Sequence, residues 1–170
     1  MRVLLLTILI SIAAACVNPQ PDDRGPLIDR DAVPPLDAPL ITDAQLRRYR
    51  VRCEDAPSSP EPVQPLVGAD EHRVRELFAR GREHFEREEY EQAARAMHRA
   101  YDIWPNISLL YNAARAEERA GALEEAVTSY RLLLDEHHPD QQLCMRAVDA
   151  LERIRGELRA LREEDELARP

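Results

Sequence analysis

The chain has 170 residues, enough for one domain with tails, and 23 basic against 32 acidic side chains leave a formal net charge of −9. Every cation is Arg, with no Lys, which fits codon bias in a GC-rich genome and makes each cation a planar fork suited to carboxylates. An acidic chain without a long basic run speaks against nucleic acid as its ligand, and 5% aromatics leave the core to Leu, Ala and Val.

Residues 1–16 read MRVLLLTILISIAAAC. Arg2 is followed by an apolar run from Val3 to Ala15, which suits a secretory signal over 1–15 and is too short for an ordinary membrane span. The run ends Ala13-Ala14-Ala15-Cys16, which resembles the lipobox of bacterial lipoproteins, with Ala13 standing where Leu is usual. The resemblance implies cleavage before Cys16 and acylation of that residue. At about 0.8 kcal/mol per buried CH₂, such chains would anchor the protein to a membrane permanently. Val17-Asn18 after the cysteine, with no Asp, implies the periplasmic face of an outer membrane. The alternative is cleavage at an ordinary A-x-A-like site that leaves Cys16 unmodified.

Residues 16–69 read as a Pro-rich tether, holding ten of the 13 prolines. One island interrupts it. Ile41-Thr42-Asp43 followed by AQLRRYRVRCE predicts a capped helix over 43–54, with Leu46, Tyr49, Arg50 and Cys53 on one face. An isolated helix that short is marginal, so it is expected to dock on the main domain. Five helices follow, predicted near 70–86, 89–103, 107–119, 122–136 and 141–165, with a tail over 166–170. Asp70, Asn106 and Asp140 are the expected caps, Pro105 and Pro139 the stops, and Gly121 a turn. In the last helix Cys144, Ala147, Leu151, Ile154, Leu158 and Leu161 keep a 3-4 spacing, the stripe of a packed helix or a coiled-coil seam.

Between Val74 and Pro139 the chain repeats at a step of 33: Tyr90, Ala93 and Met97 recur as Leu123, Ala126 and Tyr130. Gly81 to Ala93 and Ala114 to Ala126 are each 12 apart, small residues that let paired helices approach closely. With Leu77, Leu110-Tyr111-Asn112, Pro105 and Pro139, these positions resemble tetratricopeptide repeats, although Arg80, His84 and Glu117 depart from that pattern. The resemblance implies an all-α, short helical solenoid: two repeats over 70–165, closed by the last helix as a third layer and cap, with the island at 43–54 shielding the other end. It implies a protein–protein interaction module.

In that family the first helix of each repeat lines the groove. Carried over, the groove residues are Arg75, Phe78, Arg82, Phe85 and Glu86, then Ser108, Tyr111, Arg115, Glu118 and Arg119. Arg and aromatic side chains together suit an acidic or C-terminal peptide segment. The plainer alternative pairs these Arg with neighbouring Glu, as in Arg82 with Glu86 and Arg115 with Glu118. His84 is expected between helices and His98 facing out. His137, His138, Asp140 and Cys144 lack the convergence a metal site needs, and neither metal, cofactor nor catalytic motif is implied. Cys53 and Cys144 remain as an even pair, either bridged or buried as thiols.

The expected function is a lipid-anchored envelope scaffold that binds a protein or peptide partner, an acidic one if the groove arginines meet it. Two alternatives stay open: a self-associating structural component using the last helix, and an accessory subunit of a neighbouring enzyme.

Overall fold

A computed structural model describes residues 40–59 and 65–168. The expected signal segment, Cys16 and most of the expected tether lie outside the described residues. These residues are all-α, in six helices: α1 (Asp43–Glu54), α2 (Ala69–Glu86), α3 (Tyr90–Ile103), α4 (Ile107–Ala120), α5 (Leu123–Glu136) and α6 (Gln141–Ala168). The last helix runs on through the expected start of the tail at residue 166, because Glu163 to Ala168 contains no Gly or Pro to stop it.

Local chemistry sets most of the ends. The Thr42 hydroxyl accepts the Gln45 N–H at 3.2 Å while Gln45 Oε1 accepts the Thr42 N–H at 2.9 Å, a reciprocal box that starts α1. Asn106 caps α4 by accepting the Ser108 N–H at 2.9 Å, and Asp140 accepts the Leu143 N–H at 2.8 Å at the head of α6. Asp70 does not cap α2. Gly68 holds that position without a side-chain bond, and Asp70 lies inside the first turn, where its charge meets the helix dipole.

The α2–α3 and α4–α5 turns share one backbone conformation at a spacing of 33 residues. Glu89 and Ala122 have φ/ψ of −84/62° and −80/66°. The Glu89 and Ala122 amides donate to the carbonyls of His84 and Glu117, at 2.9 and 3.0 Å. Just before them, Gly121 has φ 75° and Glu88 has φ 61°. That left-handed conformation costs a residue with a Cβ about 1–2 kcal/mol, which Gly121 avoids and Glu88 bears.

Each of α2 to α5 packs against the next helix, and α6 packs against α5 and α1. Tyr130, Leu133, Leu134, Val148, Leu151 and Ile154 fill the main core. Small residues bring the helices close: Ala93, Ala114 and Ala126 are fully buried, and a Cβ added to Gly81 would stand 2.8 Å from Met97 Cε. Ala93→Leu combined with Ala126→Leu should overpack both interfaces, with each swap costing about 1–3 kcal/mol. Urea unfolding checks this, and an unchanged midpoint would count against the closeness of these pairs.

The island at 43–54 does not shield the α2 end. It lies along α6, because Cys53 is disulfide-bonded to Cys144, with the Cα atoms 5.4 Å apart. The two helices run antiparallel. Cys53 near the end of α1 meets the start of α6, Arg50 bridges Asp149 and Glu152 at 3.2 and 2.9 Å, and Asp43 pairs with Arg155 and, at 3.6 Å, Arg159. Tyr49 donates to Asp135 Oδ2 at 2.8 Å, Arg52 donates to the Leu134 carbonyl, and the Gln141 N–H donates to the Pro57 carbonyl at 2.8 Å. The third layer is therefore a helix pair whose members are 91 residues apart at the bridge. Most of the α6 stripe is spent inside the chain: Cys144, Ala147, Leu151 and Ile154 are buried, and Leu161 is half exposed.

Candidate binding face

A concavity of about 220 Å³ is bounded by Phe78, Arg82, Phe85 and Glu86 of α2, Ala93 and Met97 of α3, and Asn112 and Arg115 of α4. Helical spacing puts Phe78, Arg82, Phe85 and Glu86 on one face of α2, and the small Ala93 leaves space above α3. Five of the expected groove residues, Phe78, Arg82, Phe85, Glu86 and Arg115, thus converge.

The other five, Arg75, Ser108, Tyr111, Glu118 and Arg119, do not join them. Arg75 is exposed and pairs with Glu71 at 2.6 Å, one turn back. Ser108 sits in the first turn of α4 with its N–H held by Asn106. Arg119 turns to α3, where it lies 5.1 Å over the Tyr90 ring and donates to its hydroxyl at 2.9 Å. Tyr111 belongs to a second concavity, of about 380 Å³, bounded also by Arg115, Arg146, Asp149 and Arg153. Arg115 borders both spaces.

The arginines differ in what holds them. Arg82 pairs with Glu86 at 3.3 Å, as the plainer expectation has it. Arg115 does not pair with Glu118. Its guanidinium lies 5.5 Å from the Phe85 ring centre and 6.0 Å from that of Tyr111, and it makes no ion pair among the described residues. Glu118 faces the other way, accepting from Arg153 at 3.0 and 3.2 Å and from the Tyr130 hydroxyl at 3.0 Å. Burial and the Glu118 charge push the Tyr130 phenol far up, so it remains a donor.

Sequence reasoning missed Asn112, Arg146 and Arg153. The signal was present. From Pro105 to Pro139 the step is 34, and the same step carries Asn112 onto Arg146 and Arg119 onto Arg153. Treating α6 as a cap hid its role as a wall.

The titratable residues near the helix ends are engaged in structure. His98 does not face out: it is half buried, and its Nε2–H donates to Glu117 Oε1 at 2.6 Å. His84 donates through Nδ1 to Glu89 Oε2 at 2.6 Å, closing the α2–α3 turn. Burial lowers the His137 pKa, and its neutral Nε2 accepts from the Tyr101 hydroxyl at 2.6 Å. With Cys144 bridged and Asp140 capping α6, the chemistry this face offers is that of cations beside aromatic rings.

Comparison with protein-family models, curated proteins and solved structures finds no match to this chain.

Proposed function

We propose that this protein is an envelope adaptor, anchored by a lipid on Cys16, whose helical domain binds a partner protein segment between α2 and α4. One observation carries the binding half. Arg115 is stacked between Phe85 and Tyr111 beside an apolar recess, with no carboxylate partner among the described residues. A guanidinium held on aromatic faces keeps its donors free and in fixed orientation for an incoming carboxylate or carbonyl. The recess, lined by Phe78, Phe85 and Met97, suits an apolar side chain of the same segment.

The matching turns at Glu88-Glu89 and Gly121-Ala122 support a tetratricopeptide-like repeat. So does the close seating of Gly81 under Met97. Stacked repeats of that kind expose a groove and are used for binding. The anchoring half rests on Ala13-Ala14-Ala15-Cys16 and on the Pro-rich sequence that follows.

Affinity capture from the membrane fraction tests the groove. Arg82→Glu with Arg115→Glu should reduce partner recovery at least about tenfold without changing the melting temperature, and wild-type capture should weaken as salt rises. Undiminished capture by the double variant would remove the groove. Mass spectrometry of the mature N-terminus tests the anchor. An acylated Cys16 is expected, with Cys16→Ser releasing the protein from membranes, and an unmodified Cys16 would reduce the claim to secretion.

A further inference from the structure

We infer that the outward face of α1, carrying Arg47, Arg48 and Val51, rests on an anionic phospholipid surface and sets the orientation of the domain on the membrane. The contact is electrostatic and separate from the acyl anchor. The inference rests on the anchoring half of the reading above and adds a second, protein-borne contact to it.

Alone among the six helices, α1 carries more cations than acids, four arginines against Asp43 and Glu54. Two of the four are engaged: Arg50 bridges Asp149 and Glu152, and Arg52 reaches Asp135 at 3.5 Å. Arg47 and Arg48 are exposed and make no ion pair among the described residues. Arg48 has Ala44, Gln45, Val51 and Arg52 one turn away, so no carboxylate of its own helix is in reach. Arg47 has Asp43 one turn back, but Arg155 and, at 3.6 Å, Arg159 of α6 take that carboxylate. Elsewhere on the surface Arg75, Arg80, Arg82, Arg87 and Arg95 each have a Glu four residues away as a partner. The start of α1 therefore gathers uncompensated positive charge, which Glu54 and Asp55 confine to the part of the helix before them.

Ala44, Arg47, Arg48 and Val51 recur at three and four, so they share the face opposite the buried Leu46, Tyr49 and Cys53. That face is convex. Neither concavity includes a residue of α1, and Val51, 60% exposed, is the largest apolar side chain on the face. A tight protein partner needs a pocket or an aromatic anchor, and this face has neither. A phospholipid surface needs only cations spread over a convex face and a small apolar group that enters between headgroups.

The tether delivers this face to the lipid. Only 26 residues, 17–42, separate Cys16 from Asp43. A flexible chain of that length spans roughly 30 Å between its ends. It keeps α1 at high effective concentration beside the bilayer, where a contact too weak to hold the free protein is still made. The disulfide to Cys144 and the ion pairs to α6 transmit the orientation to the rest of the domain. Since α1 packs on α6 and α2 stands at the other end of the packing order, contact through α1 holds the α2 end farthest from the lipid. The net charge of −9 acts in the same sense, because an anionic surface repels the acidic remainder of the chain.

Quenching by brominated lipid tests the contact. Val51→Trp puts an indole on the face, and the wild type, whose one Trp at 104 packs against the α2–α4 core, gives the background. The lipidated protein is placed in brominated phosphatidylcholine vesicles with or without phosphatidylglycerol. The new indole should be quenched only where phosphatidylglycerol is present, and salt should relieve the quenching. In a second arm the mature chain with Cys16→Ser is titrated with the same vesicles. Arg47→Gln with Arg48→Gln should weaken its binding at least about tenfold, whereas Arg47→Lys with Arg48→Lys should keep it within about twofold, because a lipid phosphate reads charge more than the planar fork. An anchored protein whose indole stays unquenched on phosphatidylglycerol would overturn this contact and leave the anchor standing. Equal quenching with and without phosphatidylglycerol, or full binding by the Gln pair, would overturn its electrostatic basis. A Lys pair as weak as the Gln pair would assign the face to a carboxylate-bearing protein instead of lipid. Charge-dependent binding of the Cys16→Ser chain, found together with an unmodified Cys16 in the wild type, would sustain this contact and remove the anchor.

Discussion

Cys53→Ser with Cys144→Ser is expected to destabilise the fold by about 2–5 kcal/mol, the usual loss for a bridge that closes a long loop. The bridge joins residues 91 apart, so it removes much of the freedom of the unfolded chain. The effect reaches the native state as well, because α1 has 12 residues and is marginal without support. Ile41, Leu46 and Tyr49 are buried against the main core, and a loosened α1 exposes that surface. Denaturant unfolding of the double variant measures the loss, and reduction of the wild type with dithiothreitol should reproduce it. A midpoint unchanged in both would mean that the ion pairs of Asp43 and Arg50 and the packing of Leu46 and Tyr49 hold α1 alone.

His98→Leu is expected to cost about 3–5 kcal/mol, because it leaves the Glu117 carboxylate buried without its cation. Only 7% of the Glu117 side chain is exposed, and its Oε2 has no hydrogen-bond partner among the described residues. The double change His98→Leu with Glu117→Met should recover most of the loss, since the charge and its burial vanish together. The pair also predicts a pH dependence. Burial alone would lower the His98 pKa, but its hydrogen bond to Glu117 and the charges of Glu117 and Asp102 outweigh it and raise the pKa above 6.5. The folded state therefore binds this proton more tightly than the unfolded chain. The contribution is fully present below the unfolded His value and is lost as pH rises through the folded one. Thermal melts from mildly acidic to mildly alkaline pH should show the wild type losing stability relative to the double variant. A difference that stays flat across that window would remove His98 as its source.

The six helices were legible because the punctuation is strong. Pro105, Pro139 and Gly121 interrupt segments whose apolar residues recur at three and four, and Ala93 and Ala126 mark the tight crossings. The resemblance to a repeat array put Phe78, Arg82, Phe85 and Arg115 on the first helices of the two repeats, and these four do border one concavity. Choice among partners was not legible. Nothing in the spacing of Arg115 and Glu118 says that Glu118 takes Arg153, 35 residues on, in preference to a cation one turn away. His98 misled because its partner, Glu117, lies 19 residues on, on the next helix, where no helical spacing points to it. The site of α1 was half legible: the cysteine pair named α6, while resemblance to a repeat array suggested the opposite end.

The placement of Cys53 also decides how the molecule carries tension. A pull applied on the N-terminal side of Leu40 meets the start of α1 and peels it from α6 one contact at a time, Asp43 first, then Leu46, then Tyr49 and Arg50. The peeling halts at the bridge. From there the load passes through a covalent bond into Cys144 at the head of α6. Through packed helices, a load can therefore reach α4, α3 and α2 only by way of α6 and α5. A pull from the N-terminal side thus meets the covalent bridge before it reaches the face between α2 and α4.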